Sequence, residues 1–211
     1  MRYKLLAIEG NIGAGKTTLS KMLAKKYGTR LILEQFAQNP FLAKFYEQPK
    51  ENAFPLELFF MAERFQQLKT QLPTSDLFQQ AVITDYMFTK SLIFAKVTLE
   101  EDTYQLYARL FHIINPNLQQ PDLIVYLFNS TAQLQKNIRK RGRSYEQNIA
   151  DEYLERLHTT YMDYFRQMPA LRILILDVNK TDYTQDNAAF EQICALLQED
   201  FPKGISRRRL E

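Results

Sequence analysis

The sequence predicts an α/β fold in which helices cover both faces of a five-stranded parallel sheet. Three observations support this prediction. Short apolar runs alternate with segments whose apolar residues recur at helical spacing, as in consecutive β-α-β units. A glycine-rich loop joins the first run to the first helical segment. The run at residues 122–128 is almost continuously apolar, which is typical of a strand buried on both faces.

Each predicted element has a local signature. The strands are the runs rich in branched apolar residues at 3–9, 31–33, 81–84, 122–128 and 171–176. The helices are expected at about residues 15–27, 39–46, 53–72, 88–96, 101–114, 130–140, 149–165 and 185–197. Gly28 is suited to end the first helix, and Ser130 or Thr131 to cap the sixth.

The composition favours a single domain without a nucleic-acid partner. The chain has 211 residues, 45% of them hydrophobic, which suits one α/β domain with a sizeable core. A net charge of +3 is too small for a general nucleic-acid-binding surface. We expect the domain to span residues 1–203. Residues 204–211, which include Arg207, Arg208 and Arg209, are expected to form a loose basic tail.

Cysteine content and hydropathy indicate the cellular compartment in which the protein is expected to work. The single cysteine, Cys194, excludes an internal disulfide and suits a reducing cytoplasm. No run approaches the ~18 apolar residues that a membrane span needs. The first predicted strand begins at residue 3, so we expect no signal peptide before it and no membrane partner.

The loop after the first strand is the strongest functional signal. Residues 10–17 fit the pattern G-x-x-x-x-G-K-[ST], the phosphate-binding P-loop. Its glycines let backbone N–H groups approach phosphate oxygens, and the next helix directs its positive N-terminus at the same anion. Lys16 can reach the β- and γ-phosphates, and the Thr17 hydroxyl can bind Mg²⁺. A nucleoside triphosphate is therefore expected to bind at Gly10, Asn11, Ile12, Gly13, Ala14, Gly15, Lys16, Thr17 and Thr18.

Two carboxylates follow predicted strands. Glu34 comes after the second strand and Asp85 after the third. Ligands of parallel sheets bind beyond these strand ends, although either residue could be an ordinary loop carboxylate. After a P-loop, Asp85 is better interpreted as the residue that holds Mg²⁺, partly through water.

A polar helix face and a basic segment complete the candidates. Glu57, Arg64 and Gln67 share one face of the third helix, which either a solvated surface or a substrate-facing cluster would explain. Residues 139–143, Arg-Lys-Arg-Gly-Arg, place four cations in five positions. Arginine can bind two phosphate oxygens at once, so beside a P-loop we interpret this segment as a lid. A basic helix end that complements the helix dipole is the alternative.

Together these segments resemble the deoxynucleoside kinase family over nearly the whole chain. The motifs that carry the likeness are residues 8–17 (IEGNIGAGKT), Glu34, 45–47 (FYE), 91–95 (SLIFA), 141–143 (RGR) with 146–147 (EQ), 153–158 (YLERLH) and 176–179 (LDVN). The resemblance implies a P-loop kinase fold with an Arg-rich lid and assembly as a homodimer. It also implies that ATP, with Mg²⁺, phosphorylates the 5′-hydroxyl of a deoxynucleoside for nucleotide salvage.

The resemblance implies a role for each matched residue. Glu34 would activate the 5′-hydroxyl, and Lys16, Arg141 and Arg143 would act with it in catalysis. The residues implied in substrate binding are Glu34, Tyr46, Glu57, Arg64, Asp85, Phe94 and Glu146. Within this set, Tyr46 and Glu146 would bind the sugar 3′-hydroxyl and Phe94 would stack on the base. Beyond the P-loop, ATP binding is implied for Arg139, Asp182 and Tyr183, and magnesium binding for Thr17 and Asp85.

The sequence departs from the family pattern at two positions. Many members carry arginine after the acid of the third strand, whereas Tyr86 follows Asp85 here, so Lys90, Arg141 or Arg143 would have to compensate. Many members also have glutamine where Glu57 stands. An ionised carboxylate only accepts hydrogen bonds, which suits the two adjacent donors of guanine. Binding of adenine or cytosine would need either a protonated Glu57 or a water molecule between Glu57 and the base. Purine deoxynucleosides are favoured, and the choice of base stays open.

Two other functions compete with this interpretation. A GTP-binding switch protein is suggested by residues 179–182, Asn-Lys-Thr-Asp, which fit N-K-x-D, but no D-x-x-G follows Asp85. A nucleotide kinase of the thymidylate kinase type has a similar lid. It would need a further cation for the phosphate of its acceptor, and the missing arginine beside Asp85 argues against that.

Overall fold

Six parallel strands form one sheet in the computed structural model of the chain, which describes residues 1–36, 39–72, 80–179 and 181–210. The order across the sheet is β2-β3-β1-β4-β5-β6. The strands are β1 (Leu5–Gly10), β2 (Arg30–Ile32), β3 (Val82–Thr84), β4 (Leu123–Phe128), β5 (Arg172–Asp177) and β6 (Gly204–Arg209). The carboxyl ends of β1, β2 and β3 therefore lie side by side, where a parallel sheet places its ligand.

Eight α-helices lie in the described part of the chain. They are α1 (Lys16–Tyr27), α2 (Leu42–Glu47), α3 (Pro49–Gln71), α4 (Lys90–Thr98), α5 (Glu101–Ile114), α6 (Thr131–Arg141), α7 (Asp151–Gln167) and α8 (Asn187–Leu196). Short 3₁₀ turns occur at Asn115–Asn117 and Ser144–Glu146. None of the described helices has the length and apolar character needed to cross a membrane.

The helices cover both faces of the sheet, as the sequence predicts. Successive residues of a strand point to opposite faces. In β4, Leu123, Val125 and Leu127 pack in one core with α1, α6 and α8, whereas Ile124 and Tyr126 pack in another with α4 and α7. Burial on both sides explains why β4 has no polar alternation.

The sixth strand corrects two expectations: the sheet has six strands rather than five, and the predicted loose tail is structured. Gly204–Arg209 pairs in parallel with β5, with Ile205 opposite Ile173. The Gly204 N–H bonds the Leu171 carbonyl oxygen at 2.7 Å, and the Leu210 N–H bonds that of Asp177 at 3.2 Å. This strand is held by backbone hydrogen bonds at an exposed sheet edge. Arginine side chains suit such an edge, so the segment lacks the apolar pattern of a buried strand.

Helix starts differ from the sequence-based boundaries around residue 40. The α3 helix begins at Pro49, four residues earlier than predicted, because proline is tolerated in a first helical turn. The α2 helix begins at Leu42. Ahead of it, the Asn39 side chain accepts a hydrogen bond from the Phe41 N–H at 2.9 Å, and this turn takes the place of the predicted first helical turn.

Candidate active site

The P-loop connects β1 to α1 with the backbone that the motif predicts. Gly13 and Gly15 have φ values of 80° and 89°, a left-handed conformation that favours glycine. A Cβ on Gly13 would lie 2.9 Å from the Leu134 carbonyl oxygen, so a side chain has no room there. The Lys16 ammonium donates to the carbonyl oxygens of Gly10 at 3.0 Å and Asn11 at 2.9 Å. The loop thus holds its lysine folded over the position where phosphate oxygens would lie.

The remaining P-loop residues divide into supporting and accessible groups. The Asn11 side chain donates to the Leu154 carbonyl oxygen at 2.7 Å and accepts from the Ile12 N–H at 2.8 Å, so it ties the loop to α7. Ala14 is buried, and Thr17 and Thr18 are exposed at the start of α1. The first turn of α1 carries no acidic residue, which leaves its positive end available to an anion.

Thr17 and Asp85, the two residues predicted to hold Mg²⁺, are in direct contact. The Thr17 hydroxyl donates to Asp85 Oδ2 at 2.5 Å, and Asp85 Oδ1 accepts from the Glu34 N–H at 2.7 Å. No group of three or more His, Cys, Asp or Glu side chains within the described ranges could hold a metal ion. Two protein oxygens beside a phosphate site still fit Mg²⁺, which usually keeps water and substrate phosphates as its other ligands.

Glu34 lies at the centre of a buried ion-pair cluster. Its Oε1 accepts from Arg64 Nε at 2.8 Å and from Nη2 at 2.6 Å, and its Oε2 pairs with Lys90 Nζ at 2.5 Å. Burial alone would raise the pKa of Glu34, but the charges of Lys90 and Arg64 outweigh it and hold the pKa well below its usual value. The carboxylate is therefore ionised and fixed in direction.

The side chains of Glu57, Tyr46 and Phe94 give the part of the cleft next to Glu34 a mixed polar and aromatic lining. Glu57 is 1% exposed; its Oε1 accepts from the Thr98 hydroxyl at 3.1 Å, and its Oε2 has no hydrogen-bond partner among the described residues. Burial raises the pKa of Glu57 to about 7. Tyr46 and Phe94 contribute aromatic rings to the same cleft. Glu57 and Arg64 therefore lie on a buried face of α3, and the alternative of a solvated face is wrong for them.

The basic segment folds over the cleft from the end of α6. Arg141 and Arg143 both pair with Glu146, the latter at 3.1 Å. The Arg143 guanidinium lies 3.7 Å from the centre of the Phe36 ring. Burial and then the nearby Glu146 carboxylate raise the pKa of Tyr46. The two lid arginines and the two residues predicted to bind the sugar thus occupy one side of the site.

One cleft collects most of the predicted residues. Its volume, including the open mouth, is about 790 Å³. The predicted residues that line it are Ile12, Lys16, Thr17, Glu34, Tyr46, Glu57, Arg64, Asp85, Phe94, Arg141, Arg143 and Glu146.

The three residues outside the P-loop that are predicted to bind ATP do not line this cleft. Arg139 is exposed on α6. Asp182 accepts from the Thr184 N–H at 3.1 Å within an exposed turn. Tyr183 is buried and donates to the Gly15 carbonyl oxygen at 3.3 Å, beneath the P-loop. Their predicted roles at ATP stay predictions.

Comparison with known proteins now identifies the family. A sequence model of the deoxynucleoside kinases matches residues 6–201. The chain belongs to the deoxynucleoside kinase family. It is a phosphotransferase that transfers phosphate from ATP to the 5′-hydroxyl of a deoxynucleoside, as its sequence predicts.

Curated relatives and solved structures agree with this assignment. The kinase is 40% identical to a deoxyguanosine kinase of Bacillus subtilis, over 92% of this chain and 96% of the relative. It is 31% identical to a deoxyadenosine/deoxycytidine kinase of the same organism, over 91% and 90%. A structure of deoxyadenosine kinase from M. mycoides with bound dATP has a TM-score of 0.79 and 27% identity, and covers 93% of this chain and 100% of that one.

The competing functions are not supported. In this kinase, Asn179 of the N-K-x-D sequence accepts hydrogen bonds from the Ser130 N–H at 3.0 Å and the Ser130 hydroxyl at 2.8 Å. Its side chain thus joins the end of β5 to the start of α6 and has a structural use. Lys180 of that sequence lies outside the described residues. The relatives favour a kinase acting on deoxynucleosides over a GTP-binding switch or a thymidylate kinase type.

Three residues of the site had little or no assigned role from sequence. Glu9, fully buried at the end of β1, accepts hydrogen bonds from the Met87 N–H at 2.7 Å and the Tyr161 hydroxyl at 2.8 Å. Ser91 accepts from Arg64 Nη1 at 2.8 Å. Lys90, considered above only as a substitute cation, pairs with Glu34. The sequence does carry a signal for Glu9, because it is a charged residue inside an apolar strand. Ser91 and Lys90 carry no such signal, since only tertiary packing brings them into the site.

Proposed function

We propose that deoxyguanosine is the preferred phosphate acceptor and that Glu57 selects it. The observation that carries this assignment is the buried Glu57 Oε2, which has no hydrogen-bond partner among the described residues and belongs to a side chain lining the cleft. A buried polar atom without a partner costs about 1–3 kcal/mol, so a ligand that satisfies it gains affinity. The guanine edge offers two adjacent N–H donors, which a carboxylate can accept together.

Deoxyadenosine is the second candidate, because the pKa of Glu57 is raised to about 7. A protonated Glu57 offers one donor and one acceptor, which matches the adenine edge. The charged groups near Glu57 are Arg64, Lys90 and Glu34. Burial raises the pKa of the neighbouring tyrosines, so they stay neutral near pH 7: Tyr46, Tyr107 and Tyr153. Glu57 is then the group near the base that titrates in this range.

This gives a pH dependence of base choice. As pH rises from 6 to 8, Glu57 loses its proton, so kcat/KM for deoxyguanosine should rise by about tenfold while that for deoxyadenosine falls. Initial rates with each nucleoside, measured in one buffer series at constant ionic strength, provide the comparison. The Glu57→Gln variant should lack the opposing trends. If kcat/KM for the two nucleosides changes with pH in the same way in the unsubstituted enzyme, Glu57 does not select the base.

The chemistry we propose is an in-line displacement. The 5′-oxygen of the nucleoside forms a bond to the γ-phosphorus, the bond from that phosphorus to the bridging oxygen breaks, and ADP leaves with the electron pair. Glu34 accepts the hydroxyl proton, and its low pKa makes it chiefly an orienting acceptor that takes the proton late. Lys16, Arg141 and Arg143 would neutralise charge on the transferred group. Thr17 and Asp85 would hold Mg²⁺, which would shield the β- and γ-phosphates.

The reaction class is tested by ADP release from ATP with each deoxynucleoside and each deoxynucleoside monophosphate. We expect turnover with deoxynucleosides, none with monophosphates, and loss of activity when EDTA replaces Mg²⁺. Turnover with monophosphates alone would contradict this function. Activity that persists in EDTA would show that the reaction does not require Mg²⁺.

Arg143→Ala tests the lid. We expect kcat to fall by at least about tenfold, since the guanidinium would no longer stabilise charge on the transferred phosphoryl group. Arg166, an exposed arginine paired with Asp163 on α7, offers a matched control in Arg166→Ala. Steady-state rates with saturating ATP and deoxyguanosine give the comparison. An unchanged kcat in the Arg143 variant would show that this arginine has no role in catalysis.

We further propose a homodimer in the cytoplasm. Exposed apolar side chains on α5 support self-association, because Ile113 is 71% and Leu106 52% exposed. The free thiol of Cys194 suits a reducing compartment. Sedimentation velocity that gives a single 24.9 kDa species at micromolar concentration would reject the dimer. Recovery of the protein in a membrane or secreted fraction would reject the location.

A further inference from the structure

We propose that Lys90 is a catalytic residue, whose ammonium contacts the transferred phosphoryl group and supplies the cation that is absent beside Asp85. This inference rests on the in-line transfer to a deoxynucleoside that is proposed above. It adds a residue whose role the family motifs leave open, since those motifs place an arginine directly after the strand 3 acid. In this chain that position is Tyr86, whose buried hydroxyl donates to Gln67 at 2.6 Å.

Lys90 is buried within the reaction centre. It is the first residue of α4 and is 5% exposed. Its Nζ lies 2.5 Å from Glu34 Oε2 and 5.3 Å from the centre of the Phe94 ring. It lines the same cleft as Lys16 and Asp85. A lysine at the start of a helix is disfavoured by the helix dipole, so burial at this position needs an anionic partner.

The hydrogen-bonding capacity of Lys90 is mostly unused. An ammonium has three N–H donors, and within the described residues Lys90 makes one hydrogen bond, to Glu34. Arg64 is more fully committed, because its Nε and Nη2 bind Glu34 while its Nη1 binds Ser91. Each of the three guanidinium nitrogens of Arg64 therefore already has a protein partner, whereas the single Lys90 ammonium keeps two of its three N–H donors for a ligand.

Lys16 and Lys90 place two positive charges around the phosphate position. Both side chains line the same cleft. An anion bound between the two ammonium groups would be attracted by both. The transferred phosphoryl group, with its negative equatorial oxygens, is such an anion.

The lid arginines are less suited to be the missing cation. Arg141 and Arg143 are paired with Glu146, and their side chains are 34% and 28% exposed. Lys90 is much less exposed and already contacts the carboxylate that would accept the hydroxyl proton. During transfer, the proton passes from the 5′-oxygen to Glu34 while Lys90 keeps its own protons and stabilises the phosphoryl oxygens.

Two uncharged variants test this role. Lys90→Gln keeps a donor for Glu34 but removes the charge, and Lys90→Met removes both. We expect each to lower kcat by at least about 100-fold with less than about threefold change in KM for ATP, and Lys90→Arg to keep at least about a tenth of kcat. Lys96→Met, on the exposed end of α4 where Lys96 pairs with Glu101, is the matched control. Normal kcat in both uncharged variants would overturn the role.

A binding measurement separates contact with phosphate from support of Glu34. Calorimetry with ADP, Mg²⁺, aluminium fluoride and deoxyguanosine probes a phosphoryl-transfer mimic. In a Glu34→Gln background, adding Lys90→Gln should weaken that complex by at least about tenfold and leave ADP binding unchanged. Equal affinity of the single and double variants would mean that Lys90 only positions Glu34.

Failure of the proposed function and failure of the Lys90 role give different experimental results. Absence of deoxynucleoside turnover in the unsubstituted enzyme would contradict the proposed function itself. Full turnover in that enzyme, together with unaffected Lys90 variants, would overturn the role of Lys90 alone. Thermal unfolding monitored by circular dichroism confirms that each variant is folded at the assay temperature. If Lys90→Met proves unfolded, Lys90→Gln carries the test.

Discussion

Glu34→Gln should lower kcat by about a thousandfold, which corresponds to ~4 kcal/mol of transition-state stabilisation. Glutamine keeps the shape and one acceptor oxygen, but it cannot take the 5′-hydroxyl proton. The P-loop contacts of Lys16 do not involve Glu34, so the dissociation constant for ATP should stay within about threefold. Single-turnover rates and equilibrium ATP binding, measured on one preparation, provide both numbers.

The same substitution has a cost in stability that must be separated from catalysis. Glu34 is the carboxylate that pairs with the buried Arg64 and Lys90. Its neutralisation leaves two buried cations without a counter-charge, at a cost on the order of 3 kcal/mol. Glu101→Gln removes an exposed carboxylate that pairs with Lys96 and is the matched control. Near-normal kcat in a folded Glu34→Gln enzyme would exclude Glu34 from the chemistry.

Glu57→Gln should reverse the base preference. A glutamine presents one acceptor and one donor, so one of the two adjacent guanine donors would face an N–H group, whereas the adenine edge would be matched. A mismatched buried polar contact discriminates strongly, and we expect kcat/KM for deoxyguanosine relative to deoxyadenosine to fall by at least about 100-fold. Initial rates with each nucleoside at pH 8, where Glu57 is ionised, measure the ratio.

The stability of this variant supplies an internal check. The folded-state pKa of Glu57 lies near 7, above its ordinary value of 4.5, so ionisation is disfavoured in the folded chain. Stability is then lost as pH rises from about 4.5 through 7, by up to about 3 kcal/mol. Glu57→Gln should raise the melting temperature at pH 8 and not at pH 4. Glu51→Gln, an exposed carboxylate of the same helix, should change neither quantity. An unchanged base preference in Glu57→Gln would leave another residue as the selector.

The elements that could be predicted from sequence are those whose signal is local. The P-loop motif determines a strand, a loop and a helix within a short span, and Gly13 and Gly15 have the backbone that it requires. The carboxylates Glu34 and Asp85 follow short strands, so their meeting follows from parallel topology. In contrast, β6 is formed by edge hydrogen bonds to β5, which leave no hydrophobic pattern in Gly204–Arg209.

Burial of charge was the least predictable property of the site. Glu57 and Arg64 occur at a spacing that fits a solvated helix face equally well, and only packing of α3 against α4 and α5 places them inside. The role of Lys90 depends on a contact with Glu34, 56 residues away in the chain. Contacts between residues so far apart in the chain are determined by the tertiary fold. A single sequence can therefore suggest that such residues are functional, but it cannot predict that their side chains are in contact.

The most direct test of the account is a competition experiment. The enzyme, Mg²⁺ and ATP are incubated with equimolar deoxyguanosine, deoxyadenosine, deoxycytidine and thymidine at pH 8, and the early products are identified by mass spectrometry. The arrangement of Glu34, Glu57 and the P-loop predicts that deoxyguanosine 5′-monophosphate predominates by at least about tenfold over each other monophosphate. A pyrimidine monophosphate as the main product, or a phosphate on any oxygen other than the 5′-oxygen, would contradict the account.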